Sequence, residues 1–137
     1  MTPQQIFDTV AKHLLTQNAR ATRERGPEDD SGDTQACVYR TDTGLTCAVG
    51  CLIPEALYNP DMDNASKVQG TAISANQIVQ RVLDNLGVID FHAGAEDNRL
   101  KLLRNLQRTH DSYDVEDWPE ELRDLARRFE LSAEVLG

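Results

Sequence analysis

Apolar residues return at helical spacing in several separate stretches of the chain, and between the first and second of these lies a segment where they follow the rhythm of an extended strand. Ile6, Phe7, Val10, Ala11 and Leu14 gather on one side at about 100° per residue, which predicts an amphipathic helix over residues 3–18. Thr2 stands as its N-cap, Pro3 in its first turn, and Gln5 where it completes a capping box. Over residues 74–86, Ile78, Val79, Val82, Leu83 and Leu86 fill one half of a helix, polar residues fill the other, and Gly87 ends it. Asp97 or Asn98 caps the next helix, in which Leu102, Leu103, Leu106 and His110 share a face with Leu100 at its edge. Lys101, Arg104 and Arg108 line up beside that face as a basic stripe. After an acidic turn at residues 114–117, Trp118-Pro119-Glu120-Glu121 opens a final helix with Leu122, Leu125, Ala126 and Phe129 inward.

The strand-like segment is part of a longer stretch, residues 37–58, that holds all three cysteines and two of the three tyrosines. Cys37, Val38 and Tyr39 favour a strand, Thr41-Asp42-Thr43-Gly44 is a turn sequence, and Leu45-Thr46-Cys47 resumes an extended pattern, so a hairpin is expected. An isolated hairpin is marginal in water, and its apolar face therefore needs the flanking helices. Ala48-Val49-Gly50-Cys51-Leu52-Ile53 is small and apolar throughout, which suits a buried crossing where backbone approaches backbone near Gly50. Pro54 and Glu55 then open a short helix carrying Leu57 and Tyr58, stopped by Asn59-Pro60.

Residues 19–35 lose the pattern: Arg20, Arg23 and Arg25 precede Gly26-Pro27 and the acids Glu28, Asp29, Asp30 and Asp33, a composition expected of a mobile charged surface loop. Val88-Ile89-Asp90-Phe91-His92 reads as an extended link, with a third strand as the alternative. The elements together predict a single α+β domain over residues 1–137, mainly helical, with about five helices and one small β-hairpin, and with residues 47–53 in the middle of the core.

The pattern C-x-Y-R, G-x-x-C-A-V-G-x-L-I-P and Y is carried here by Cys37, Tyr39, Arg40, Gly44, Cys47-Ala48-Val49-Gly50, Leu52-Ile53-Pro54 and Tyr58. It resembles a family of small uncharacterised proteins of bacteria and their phages, and the resemblance extends to Leu106-Gln107, His110-Asp111 and Trp118. It implies one compact domain and a bacterial or phage origin, and no catalytic residue.

Composition narrows the function classes. A formal net charge of -9 and a pI near 4.7 argue against broad contact with nucleic acid or an anionic membrane, since both would repel most of the surface. A basic protein surface is the complementary partner. Three cysteines without an apolar leader point to a cytoplasmic protein with reduced thiols, and no window approaches the roughly 18 apolar residues of a membrane span.

Candidate chemistry is sparse. Cys47 is a potential nucleophile, with His110 as base and Asp111 as the adjacent carboxylate, against the plainer reading that Cys37, Cys47 and Cys51 are small buried hydrophobes. Neighbours in sequence seldom place a carboxylate on the next residue's imidazole. The three cysteines plus one histidine reach the ligand number of zinc but lack its usual knuckle spacing, so no metal and no cofactor are expected. The run from Asp61 fails as a calcium loop because Ser66 and Ala72 stand where Gly and Glu are required. Tyr39, Arg40, Glu55, Tyr58, Asp61, Asp63 and Trp118 are instead read as an aromatic-acidic, partner-binding patch beside the hairpin. The leading expectation is a small acidic interaction protein, a phage-related inhibitor or immunity-type factor that occupies a basic site on a partner. The alternative is a cysteine-dependent hydrolase or transferase.

Overall fold

A computed structural model of the chain describes residues 1–24, 35–68 and 71–137. Among them are four α-helices, α1 (Pro3–Gln17), α2 (Gln77–Asn85), α3 (Asn98–Ser112) and α4 (Trp118–Arg128), and two short strands, β1 (Thr22–Glu24) and β2 (Gln35–Cys37). The domain is mainly helical α+β, with four helices where five were expected.

Local sequence accounts for the helix ends. Thr2 accepts from the Gln5 amide while the Gln5 side chain accepts from the Thr2 amide, the capping box the sequence predicts. Asn76 caps α2 and Asp97 caps α3, each accepting from a backbone N–H of the first turn. The missing helix is the one after Pro54. Its residues make only single 3-10 turns, with the Leu57 amide donating to Pro54 and the Tyr58 amide to Glu55. Pro60 steers Asn59 out of the helical region, and the few residues left between the two prolines cannot repay helix nucleation.

The sheet also differs from expectation in position. Cys37 pairs backwards with Thr22, Ala36 with Arg23 and Gln35 with Glu24, antiparallel. The predicted pairing of residues 37–39 with 45–47 survives only as one bridge, Arg40 with Thr46, flanked by the Thr41 amide on the Leu45 carbonyl at 2.8 Å and the Cys47 amide on the Tyr39 carbonyl at 3.3 Å. The edge of Cys37 is engaged by β1, and beyond Cys47 the chain coils at once into the 3-10 turn Gly50–Leu52. Residues 25–34 of the expected charged loop lie outside the described residues; of the rest, Thr22–Glu24 and Gln35 are strand. Residues 88–92 form a turn-rich link, with Val88 and Ile89 buried.

α1, α3 and α4 pack on one another through Ile6, Phe7, Val10, Leu14, Leu102, Leu103, Leu106, Leu122 and Leu125, all fully buried. Burying each such side chain contributes about 1.5–3 kcal/mol, so this triangle is a large part of what holds the fold together. Residues 47–50 lie against it and are buried, with Ile53, whereas Cys51 and Leu52 are half-buried. A Cβ at Gly50 would stand 2.0 Å from the Tyr39 carbonyl oxygen, which is the close backbone approach that the sequence implies there. α1 grips the same seam by its polar edge. Gln17 accepts from the Thr46 amide at 3.0 Å and donates to the Thr46 carbonyl at 2.8 Å, and His13 Nε2 lies 2.9 Å from the Thr46 hydroxyl.

Candidate functional site

Between the end of β2, Cys47, residues 71–72 and the last turns of α3 lies a pocket of about 140 Å³ lined by Cys37, Tyr39, Cys47, Asp63, Gln107 and Asp111, among others. Of the chemistry-bearing residues singled out in the sequence it collects Cys37, Cys47, Asp111, Tyr39 and Asp63, and the bonding of each decides what it can do.

His110 sits under the pocket with no exposure. Its Nε2 lies 3.0 Å from the Ala21 backbone nitrogen. A backbone N–H can only donate, so Nε2 is the acceptor and the neutral ring carries its proton on Nδ1. That proton goes to Asp111 Oδ1 at 2.6 Å. The adjacent carboxylate therefore does reach the imidazole, contrary to the expectation for neighbouring residues. Gln107, one helical turn earlier, draws Asp111 back by donating to the same oxygen at 2.8 Å, and its own carbonyl accepts from the Val49 amide at 3.1 Å. The imidazole stacks on Trp118 at 5.7 Å, and Arg20 donates to the His110 carbonyl.

Cys47 is 1% exposed, and its sulfur accepts from the Gly50 amide at 3.2 Å. Burial pushes its thiol well above the ordinary range, against the lowering effect of that hydrogen bond. Cys51, whose thiol donates to the Ala48 carbonyl, is pushed up by burial to about 12. The arrangement thus withholds from Cys47 both requirements of a nucleophile: a stabilised thiolate and an imidazole with a free lone pair. Cys37 rather than Cys47 is the thiol near the histidine, since ligand atoms of Cys37, His110 and Asp111 fall within 4.8 Å of one another. A metal there requires a lone pair on a ring nitrogen. Nε2 gives its lone pair to Ala21 and Nδ1 bears the proton, so the histidine does not fit as a ligand without breaking the Ala21 contact.

The expected partner-binding patch divides in two. Trp118 is fully buried on the far side of His110 and donates from Nε1 to the Tyr113 carbonyl, and Tyr39 is 4% exposed with its hydroxyl donating to the Thr71 carbonyl. Asp63, 5% exposed, accepts from the Tyr39 amide at 2.8 Å and from the Tyr58 hydroxyl at 2.6 Å. Tyr39, Asp63 and Trp118 are therefore structural, because their polar atoms are consumed in buried hydrogen bonds. Burial, together with the charge of Asp63, raises both the Tyr39 and the Tyr58 phenols, so they stay protonated donors.

Arg40, Glu55, Tyr58 and Asp61 remain at the surface. Arg40 lies over the Tyr58 ring at 5.9 Å and donates to the Ile53 carbonyl, anchoring a largely exposed segment at residues 54–61, the lip. Leu57, which sequence reasoning placed on a helix, lies in this lip with 46% exposure, the largest among the exposed large hydrophobic side chains of the described residues. Its signal in the sequence is an apolar residue between two prolines, too short a segment to form a buried face.

No family profile, curated protein or solved structure matches the chain. Among the described residues, no helix is long and apolar enough to cross a membrane.

Proposed function

We propose that this chain is a small acidic interaction protein, a phage-related inhibitor or immunity-type factor, that seats the lip at residues 54–61 in a basic site on a partner protein. The observation that carries this reading is Leu57, held out in water between exposed Glu55 and half-exposed Asp61 on a backbone braced by Arg40, Tyr58 and Asp63. Beside Leu57 stand Tyr58 and Arg40, two of the residue types in which interface hot spots are enriched, and their mutual contact orders the segment before it meets a partner, which lowers the ordering cost of association. The net charge of -9 supplies long-range attraction to a cationic surface and repulsion of anionic competitors. The geometry at Cys47 and His110 favours this reading over the cysteine-dependent enzyme.

The test is site-specific photo-crosslinking in a bacterial host lysate, with a benzophenone side chain at Leu57 and, as control, at Leu86, which is 38% exposed elsewhere. A discrete adduct from position 57 that is absent from position 86, and that fades as salt rises from 50 to 500 mM, is the expected result. Identical adduct patterns from the two positions, or a position-57 adduct indifferent to salt, overturns the proposal.

A further inference from the structure

On the side of α3 away from the core, Lys101, Arg104, Asn105 and Arg108 form one wall of a groove that Arg128 and Phe129 at the end of α4 complete, with a volume of about 380 Å³. We infer that this groove is a binding site for the phosphates of a short single-stranded nucleic acid segment.

The charge arrangement runs against the rest of the molecule. The chain carries 23 acidic residues against 14 lysines and arginines, yet four cations and no carboxylate line this groove. α3 itself has no acid before Asp111. Lys101, Arg104 and Arg108 are all exposed. The other described arginines are engaged within the chain. Arg20 pairs with Asp114, Arg99 with Asp97, and Arg127 and Arg128 with Asp124. Arg23, Arg40 and Arg123 donate to carbonyls, and Arg81 covers the Phe91 ring. Among the described residues, Arg104 and Arg108 alone of the arginines have no such partner. Arg128 keeps its Asp124 counter-charge, but Arg104 and Arg108 have none in the groove and repel one another, and an anion between them relieves that repulsion.

The ligand class follows from shape. Arg104 and Arg108 stand four residues apart on a helix, about 6 Å along its axis, each offering a planar fork suited to bidentate contact with an oxyanion. That step is comparable to the distance between neighbouring phosphates of an extended strand. Phe129, half-buried against the core, lines the groove and gives a base an aromatic surface to stack on, and Asn105, whose Nδ2 donates to the Lys101 carbonyl at 2.8 Å, keeps its Oδ1 for a polar base edge. A duplex would bring its phosphates against the acidic remainder of the surface, so a short single strand is the form that fits. The acidic balance excludes broad nucleic-acid contact, and a groove of this size asks only for a narrow one.

The experiment is fluorescence anisotropy of a labelled eight-nucleotide thymidine strand with the full chain, with Arg104→Ala/Arg108→Ala, and with Arg123→Ala as an exposed-arginine control. Saturable binding to the wild type and to the control, at least tenfold weaker in the double variant, is expected. With about three phosphates neutralised, affinity falls on the order of 20-fold between 50 and 200 mM salt. Displacement of the strand by inorganic phosphate at equal phosphate concentration assigns the groove to a small phosphate ligand and overturns the strand. Equal competition by a polyglutamate peptide overturns phosphate recognition. Absent binding, or equal binding by the double variant, overturns the site.

Discussion

Replacing Gly50 with alanine is the sharpest test of the buried seam. An added Cβ would lie 2.0 Å from the Tyr39 carbonyl oxygen and 2.9 Å from its carbon, so backbone and not a movable side chain must yield. Reaching even 3.0 Å from 2.0 Å asks for a retreat of about 1 Å. That movement stretches the Cys47 amide bond to the Tyr39 carbonyl, already 3.3 Å, and disturbs the 2.8 Å bond from the Tyr39 amide to buried Asp63. Overpacking of this kind costs typically 1–3 kcal/mol, and with two buried hydrogen bonds strained the upper end applies, about 3 kcal/mol. For a chain of this length each kcal/mol moves the midpoint by about 3–4 °C, so Tm should fall by about 10 °C. Gly44→Ala is the control: nothing lies within 4 Å of its added Cβ, and only the φ of +91° penalises it. That strain costs about 1 kcal/mol, hence about 3–4 °C. Thermal unfolding followed by circular dichroism reads both. A Gly50→Ala variant that melts within 2 °C of the wild type, or no lower than Gly44→Ala, would refute the close approach and with it the seam.

Further outcomes follow from the buried polar groups. His110→Phe keeps a ring against Trp118 but strands the Ala21 amide, and should lower the denaturation free energy by about 2 kcal/mol; an unchanged urea midpoint would remove the histidine's clamping role. Burial raises the Asp97 carboxyl, but bonds from the Arg99 side chain and from the Asp90 and Arg99 amides outweigh it and hold it below its ordinary value. Its contribution is therefore present above about pH 4 and is lost as pH falls through the lower folded value. Asp97→Asn should cost about 1 kcal/mol at pH 6 and progressively less below pH 4, and a gap constant with pH contradicts the charge argument. Cys47 and Cys51 should both resist iodoacetamide in the native protein at pH 8, read by mass spectrometry. Because their thiols are raised, the unfolded chain ionises first, and the stability they leave intact at neutral pH falls as pH climbs above about 9.

Where one element's periodicity and capping were self-sufficient, the fold was legible. Residues 6, 7, 10, 11 and 14 with the Thr2 and Gln5 box specify α1 without reference to anything distant, and the buried set matches them. The hairpin was harder, because strand propensity in residues 37–39 says nothing about which partner wins. β1 engages it through Thr22 on Cys37, and the Val38 amide donates to the Ala21 carbonyl, both from a segment whose composition reads as loop. Glu55 and Leu57 look helical in isolation, and only the crowding of Pro54 and Pro60 limits them to 3-10 turns. The roles of His13 and Gln17 had no sequence signal at all, and Gln107 was marked only by the resemblance, which gave it no role. Each is a polar residue on an otherwise ordinary helix that happens to face an unpaired amide or carbonyl of the seam, a property of tertiary placement.

The same logic separates structural chemistry from functional chemistry in this chain. The residue types that usually advertise a site are here used up by folding. His110 ties the entry of β1 to α3 through Ala21, its carbonyl and that of Tyr113 hold Arg20, and Trp118 closes the group by stacking on the ring and donating to Tyr113. Asp63 does the same for Tyr39 and Tyr58, and Cys47 for the Gly50 turn. A buried polar group with every partner in place has nothing left to offer a ligand, and rearranging it costs the full desolvation of the atoms exposed. Among the described residues, groups that the fold leaves unspent include Leu57 with Glu55 on the lip, and Lys101, Arg104 and Arg108 along α3, and these are the ones that the two proposals use. None of these helps to hold the domain together. Substitutions there should leave Tm within about 2 °C while altering association, whereas substitutions at His110, Asp63 or Gly50 should do the reverse.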